Sequence, residues 1–233
     1  MSTDSDVSAS TTSAPPAALP AGNPALLGLP SFLVGGIGLT LYLFGYLPAT
    51  AVGALVPTML VVSGFGLLVS AIWAISIGQG AVGSIFGVFA TFWLSYAYLV
   101  LSLVNDWLKI PAADAGAAQA AFLIAWLVVF AVLTLATLRL PLAFTALFTL
   151  VTIVVALVLV ATLGGPAGLL TIAGIGATLF CLVALYIYVD GMNQEARGRR
   201  PPDGQRAHPL SRPARRSWSF RSARRNGRAT SVS

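Results

Sequence analysis

The sequence predicts an all-α integral membrane protein with six transmembrane helices and with its N-terminus and C-terminus in the cytoplasm. Three observations lead there. From residue 7 to residue 105 there is no Asp, Glu, Lys or Arg, and two further charge-free runs follow, Ala115–Leu138 and Leu140–Val189. Of the 13 Lys and Arg, Lys109 and Arg139 stand between these runs, and the other eleven are arginines between Arg197 and Arg228. A spanning helix needs ~20 apolar residues, and a charge at its centre costs about 2.5 to 3.5 kcal/mol. Runs this long without a charge do not form a water-soluble domain. The basic C-terminal segment belongs inside by the positive-inside rule, and an even number of spans brings the N-terminus to the same side.

Residues 1–22 are rich in Ser, Thr, Ala and Pro, with charge only at Asp4 and Asp6. This is the composition of a disordered leader, and it lacks the basic-then-apolar pattern of a cleavable signal. Asn23 and Pro24 open the first span. Asn is a favoured N-cap because its side-chain oxygen accepts an orphan backbone N–H, and Pro has no N–H to leave unpaired. A helix is therefore expected from Pro24. It carries no charge, so its positive dipole end at the membrane surface suits an anion.

Span one is expected over about residues 26–46, closed by Gly45-Tyr46-Leu47-Pro48. Span two is expected as one helix over about residues 51–75, and Gly78-Gln79-Gly80 turns the chain into span three, about residues 84–104. Asn105-Asp106-Trp107-Leu108-Lys109 leads through a small-residue loop into span four, about residues 118–138, which Arg139-Leu140-Pro141 breaks. Span five, about residues 142–163, ends at Gly164-Gly165-Pro166, and span six, about residues 167–188, leaves the membrane through Asp190, Asn193 and Glu195. Residues 23–195 thus form the transmembrane domain. Arg139 falls inside on this count, and Lys109 falls outside beside Asp106 and Asp114.

Residues 196–233 mix Arg with Pro, Gly and Ser, interleaved with Trp218 and Phe220. They read as a disordered cytoplasmic tail able to adsorb to anionic lipid, where each Arg near the surface is worth about 1 kcal/mol. No recognition module accompanies the basic residues, so nucleic acid is not an expected partner.

Within the membrane, Gly28, Phe32, Gly36 and Thr40 recur every four residues on one face of span one. Phe86, Phe89, Trp93 and Tyr96 share a face of span three; Trp126, Phe130, Thr134 and Thr137 one of span four; Thr145, Thr149 and Thr152 one of span five. Such faces serve helix packing, with each Thr bonded to its own backbone, or line a narrow apolar passage. No residue set supports catalysis. His208 lies in the tail, Cys181 is alone in an apolar run and reads as a buried structural thiol, and no cofactor or metal is expected.

The stretch Asn23-Pro24-Ala25-Leu26-Leu27-Gly28-Leu29 resembles the Asn-Pro-Ala-Pro-Leu-Gly-Leu signature of the acetate uptake transporter family, which includes bacterial acetate/succinate transporters and fungal acetate and ammonia-export relatives. Leu26 replaces the second Pro. The likeness continues through Phe32, Gly45-Tyr46, Thr91-Phe92-Trp93-Leu94-Ser95, Trp126, Thr137-Leu138-Arg139, and Asp190 with Asn193.

The resemblance implies a six-helix protomer, assembled as a homo-oligomeric hexamer in the cytoplasmic membrane, that carries small monocarboxylates such as acetate, and in some members succinate, by symport with protons or as a channel. It also implies a constriction at Phe32, Phe89 and Val151. Phe89 stands where the family has Tyr, Gly35-Gly36 where relatives often carry a Thr pair, and Leu67 where Gln is common. On this reading the substrate pathway takes in Asn23, Pro24, Gly28, Phe32, Gly36, Phe89, Trp93, Val151 and Thr152, with Asp190 at its inner end as the candidate proton-linked group. The alternatives are a channel for ammonium or another small solute, and a non-transporting scaffold that acts through its basic tail. Pro30, inside span one, removes an intrahelical bond two positions before Phe32 and is expected to bend the helix.

Overall fold

The computed structural model describes residues 22–166 and 168–198, and every regular element among them is helical. The α-helices are α1 (Ala25–Leu43), α2 (Gly66–Ser76), α3 (Gly80–Val104), α4 (Ala115–Ala136), α5 (Leu142–Thr162) and α6 (Gly168–Gly198). With the short helical segments that extend α2 and α4, they make 6 helices long and apolar enough to cross a membrane. The leader up to residue 21 and the arginine-rich tail from residue 199 lie outside the described residues.

The helix ends follow the glycines. Gly45 adopts φ +75°, Tyr46 N–H reaches back to the Leu41 carbonyl at 3.0 Å, and Gly45 N–H reaches the Tyr42 carbonyl at 2.9 Å. This left-handed cap satisfies carbonyls that would otherwise face lipid headgroups unpaired. Gly78 and Gly164 close α2 and α5 in the same way. At the end of α3 no glycine is present, and Asp106 takes the left-handed position at φ 53°. Trp107 N–H then bonds Ser102 O at 3.0 Å, and Asp106 pairs with Lys109 at 3.0 Å.

Span two corrects the expectation of one regular helix. It begins as 3₁₀ turns over Ala49–Leu55, passes through a π-helical segment, Thr58–Phe65, and becomes α-helical only at Gly66. Two prolines account for the departure. Pro48 is extended, and Pro57 has no N–H to return to residue 53, so the ladder loses its regular register there and resumes with a wider one.

Around the bundle, α6 packs along both α1 and α5, α4 along α5, α2 along α3, and α1 against the π segment and α2. Lipid tails are as apolar as leucine, so contact depends on close fit rather than on escape from water. Small residues supply that fit: Ala173, Ala177 and Ala184 of α6 are fully buried, as are Ala74 of α2 and Ala90 and Ala97 of α3. The third span is the most enclosed and the fourth the least. The aromatic face of α3 therefore becomes the centre of the bundle.

Candidate functional site

The pathway residues begin at the Asn23 end. Asn23 Oδ1 accepts the Ala25 N–H at 3.1 Å, and Pro24, already helical at φ −60° and ψ −23°, precedes the first regular residue. The Pro24 carbonyl takes the N–H groups of Leu27 and Gly28 and also the Ser70 hydroxyl, at 2.6 Å. Two turns further along α1, Ser63 Oγ donates to Ser31 O at 2.7 Å while Ser31 Oγ donates to Leu27 O at 2.9 Å. Two serines seven residues apart in span two thus stitch it to α1 around Pro30. α6 closes the other side of this end: a methyl added at Gly191 would lie 3.7 Å from Asn23 Nδ2. Its neighbour Asp190 is exposed and accepts a hydrogen bond from Gln194 at 2.7 Å.

Above this end lies an apolar cavity of about 20 Å³. Phe32 and Leu67 line it from the first two spans, Ile85, Phe86 and Phe89 from α3, and Phe144, Leu147 and Phe148 from α5. Every lining side chain is a hydrocarbon. Gly28 makes room for the Phe86 ring, whose atoms would sit 2.6 to 2.8 Å from an added Cβ. Leu67 is fully buried in this wall.

The layer over the cavity is built of phenylalanines. Phe32 meets Phe89 edge to face at 5.1 Å and Phe180 at 5.5 Å, while Phe89 stacks on Phe130 at 5.1 Å and on Phe148 at 5.6 Å. Such pairs are worth about 0.5 to 1.5 kcal/mol each beyond their burial. Val151 is buried one turn beyond Phe148. It lies along α5 between the lining of this cavity and that of a second one.

The second cavity, about 30 Å³, is walled by Phe92, Trp93 and Tyr96 of α3, by Val154, Val155 and Val158 of α5, and by Leu39 and Leu123. Trp93 Nε1 is buried and has no hydrogen-bond partner. A donor left unpaired away from water costs about 1 to 3 kcal/mol, so its position here stands out.

The predicted site residues are only partly brought together. Phe32 and Phe89 touch, Trp93 lines the second cavity, and Asn23 and Asp190 share one end. Gly36 faces α6, where an added Cβ would be 2.9 Å from Cys181 Sγ and from Phe180. A repeat of four drifts around a helix of 3.6 residues per turn, so the small stripe that starts against α3 at Gly28 ends against α6. Thr152 joins the α4–α5 seam, 2.8 Å from the Thr134 hydroxyl and 2.9 Å from Phe148 O. Sequence reasoning missed Phe148 and Phe180 in the aromatic layer and Ser63 and Ser70 on span two. The serines carried a signal in their two-turn spacing inside an apolar run. Phe148 and Phe180 carried none.

Comparison with known proteins fits this architecture. The profile of the GPR1/FUN34/yaaH family matches residues 7–198. The chain is 28% identical over 171 residues to the Ammonia transport outward protein 2 of Saccharomyces cerevisiae, a match that takes in 70% of this chain and 59% of the yeast protein. It therefore spans somewhat over half the length of that relative. Among solved structures, the bacterial acetate channel SatP superposes with a TM-score of 0.67 at 22% identity, over 76% of this chain and 96% of that one. That likeness establishes the fold. The signature at Asn23–Phe32 and the match along the whole membrane domain agree, and the chain belongs to the GPR1/FUN34/yaaH family, as a multi-pass membrane protein with six apolar helices.

Proposed function

We propose that this protein passes small monocarboxylates such as acetate across the cytoplasmic membrane, each with its proton. The observation that carries this reading is the phenylalanine layer, Phe32 with Phe89, Phe130 and Phe148, over a cavity lined only by hydrocarbon. Moving an isolated carboxylate into such a medium costs tens of kcal/mol in the continuum limit, whereas a neutral hydroxyl or carbonyl costs a few. Protonating a carboxylate of ordinary pKa near pH 7 costs only about 3 to 4 kcal/mol, at 1.36 kcal/mol per unit. Protonation is by far the cheaper route. Neither cavity is lined by an acid, a base or a His, so the proton travels on the solute rather than through a side-chain relay. The dipole end of α1 at Asn23 supports the reading by drawing the anion to the mouth.

A second reading is passage of ammonia, and the size of the first cavity favours it. About 20 Å³ is room for little more than one water-sized group, so acetic acid needs the phenylalanine rings to move while ammonia does not. Reconstituted liposomes with an internal pH dye separate the two. Protein-dependent acidification on adding acetate supports the carboxylate reading, and protein-dependent alkalinisation on adding ammonium, without any acetate response, replaces it. Both termini are placed in the cytoplasm and the assembly as a hexamer on the same proposal.

A further inference from the structure

The end of the bundle away from Asn23 carries a polar rim above the second cavity. The cavity wall includes Leu39 of α1, Leu123 of α4 and Val158 of α5. One helical turn beyond each, on the same helix face, stand Tyr42, Gln119 and Thr162. Tyr96 of α3 lines the cavity itself and is 6% exposed. The Gln119 side chain hydrogen-bonds the Tyr96 hydroxyl, and Tyr42 lies within electrostatic reach of it. Polar groups from α1, α3 and α4 thus converge at one mouth, where Tyr42 and Gln119 are half-buried near the ends of their helices. Tyr98, two residues on from Tyr96, is exposed instead, so the inward set is distinct from the tyrosines of the surface.

We propose that Tyr42, Tyr96 and Gln119 form a recognition site at this mouth for the carboxylate of a short monocarboxylic acid, held there before it enters the apolar cavity as the neutral acid. The inference rests on the carboxylate reading above and deepens it by naming the residues that recognise the solute. The rim holds donors in excess. The Gln119 amide spends one N–H on the Tyr96 oxygen and keeps a second, and among the described residues neither the Tyr42 nor the Tyr96 hydroxyl proton has an acceptor. Thr162 takes no part, having given its proton to Val158 O at 2.8 Å. An ionised carboxylate only accepts hydrogen bonds, and those it accepts are about twice as strong as neutral ones. Ammonium only donates, so the same donors would oppose it. The anion rests at the half-exposed rim, and the cavity below is not asked to hold it.

The test is the concentration dependence of labelled acetate uptake in liposomes by the full chain and by Tyr96→Phe, Tyr42→Phe and Gln119→Leu, with melting temperatures in one detergent as the check on folding. Each phenylalanine removes a single hydroxyl. The inference expects both to raise the KM for acetate about tenfold, the loss of one hydrogen bond to a charged group, with the maximal rate unchanged, and Gln119→Leu to raise it as well. A rise in KM alone marks lost binding of the solute, which a purely structural role would not produce. A wild type that takes up acetate while all three variants keep its KM, or lose maximal rate alone, overturns the inference and leaves the carboxylate reading standing. A wild type that takes up no acetate overturns both. Where Tyr96→Phe fails to fold, Tyr42→Phe at the end of α1 decides.

Discussion

The rings of Phe32 on α1 and Phe89 on α3 meet edge to face, with centroids 5.1 Å apart and planes at 81°. They join helices from the two ends of the first three spans, and Phe89 extends the contact to α4 and α5 by stacking on Phe130 and Phe148. On the proposed path, acetic acid moving from the first cavity to the second has to displace these rings. Phe89→Tyr adds one hydroxyl to the hydrocarbon layer and gives the crossing acid a partner there. Acetate uptake in liposomes is expected to rise about fivefold, the effect of roughly 1 kcal/mol. Unchanged kinetics would remove Phe89 from the path.

The glycines of α1 offer a stability test with an internal control. Gly28→Ala would press on the Phe86 ring, and Gly36→Ala on Cys181 and Phe180. Each is expected to destabilise by about 1 to 3 kcal/mol through overpacking, seen as a lower melting temperature in detergent. Gly80, at the start of α3, has nothing within 4 Å of an added Cβ. Gly80→Ala is expected to be neutral or slightly stabilising.

Ser70→Ala removes the 2.6 Å bond that ties span two to the Pro24 carbonyl. That carbonyl keeps the N–H groups of Leu27 and Gly28 as donors, so no orphan acceptor remains and the expected cost is about 1 kcal/mol. Thermal unfolding of the two proteins in one detergent measures it, and a cost above about 3 kcal/mol would show that the cap has no other support.

The Thr134–Thr152 pair, 2.8 Å apart, tests whether the α4–α5 seam is structural. Valine keeps the shape of each side chain. A double-mutant cycle of Thr134→Val and Thr152→Val is expected to give a coupling of about 0.6 kcal/mol, the usual size inside membranes, with acetate uptake unchanged. Loss of uptake in Thr152→Val alone would return that residue to the pathway.

How far these features could be read in advance depends on what each one leaves in the sequence. Spans are legible because charge is excluded from the membrane, and helix ends because Gly45, Gly78 and Gly164 must take positive φ. The π segment of Thr58–Phe65 is a matter of hydrogen-bond register, which hydropathy does not record; only Pro57 hinted at it. Facing was hardest. In a soluble helix the polar side marks the outside, but α5 and α6 are apolar all round, so nothing distinguished the inward Phe148 and Phe180 from their lipid-facing neighbours. Helix periodicity picked out Phe32 and Phe89 on separate faces, the family resemblance joined them in one constriction, and the contact between them could only come from the fold.

The most direct test of the central claim, that the solute crosses the phenylalanine layer with its proton, is labelled acetate uptake by the purified protein in liposomes under two separate driving forces. The account predicts that an inward proton gradient stimulates saturable uptake above protein-free liposomes, and that an inside-positive potential without a proton gradient does not. Uptake driven by the potential and indifferent to the proton gradient would mean that the bare anion crosses the layer, and would contradict it.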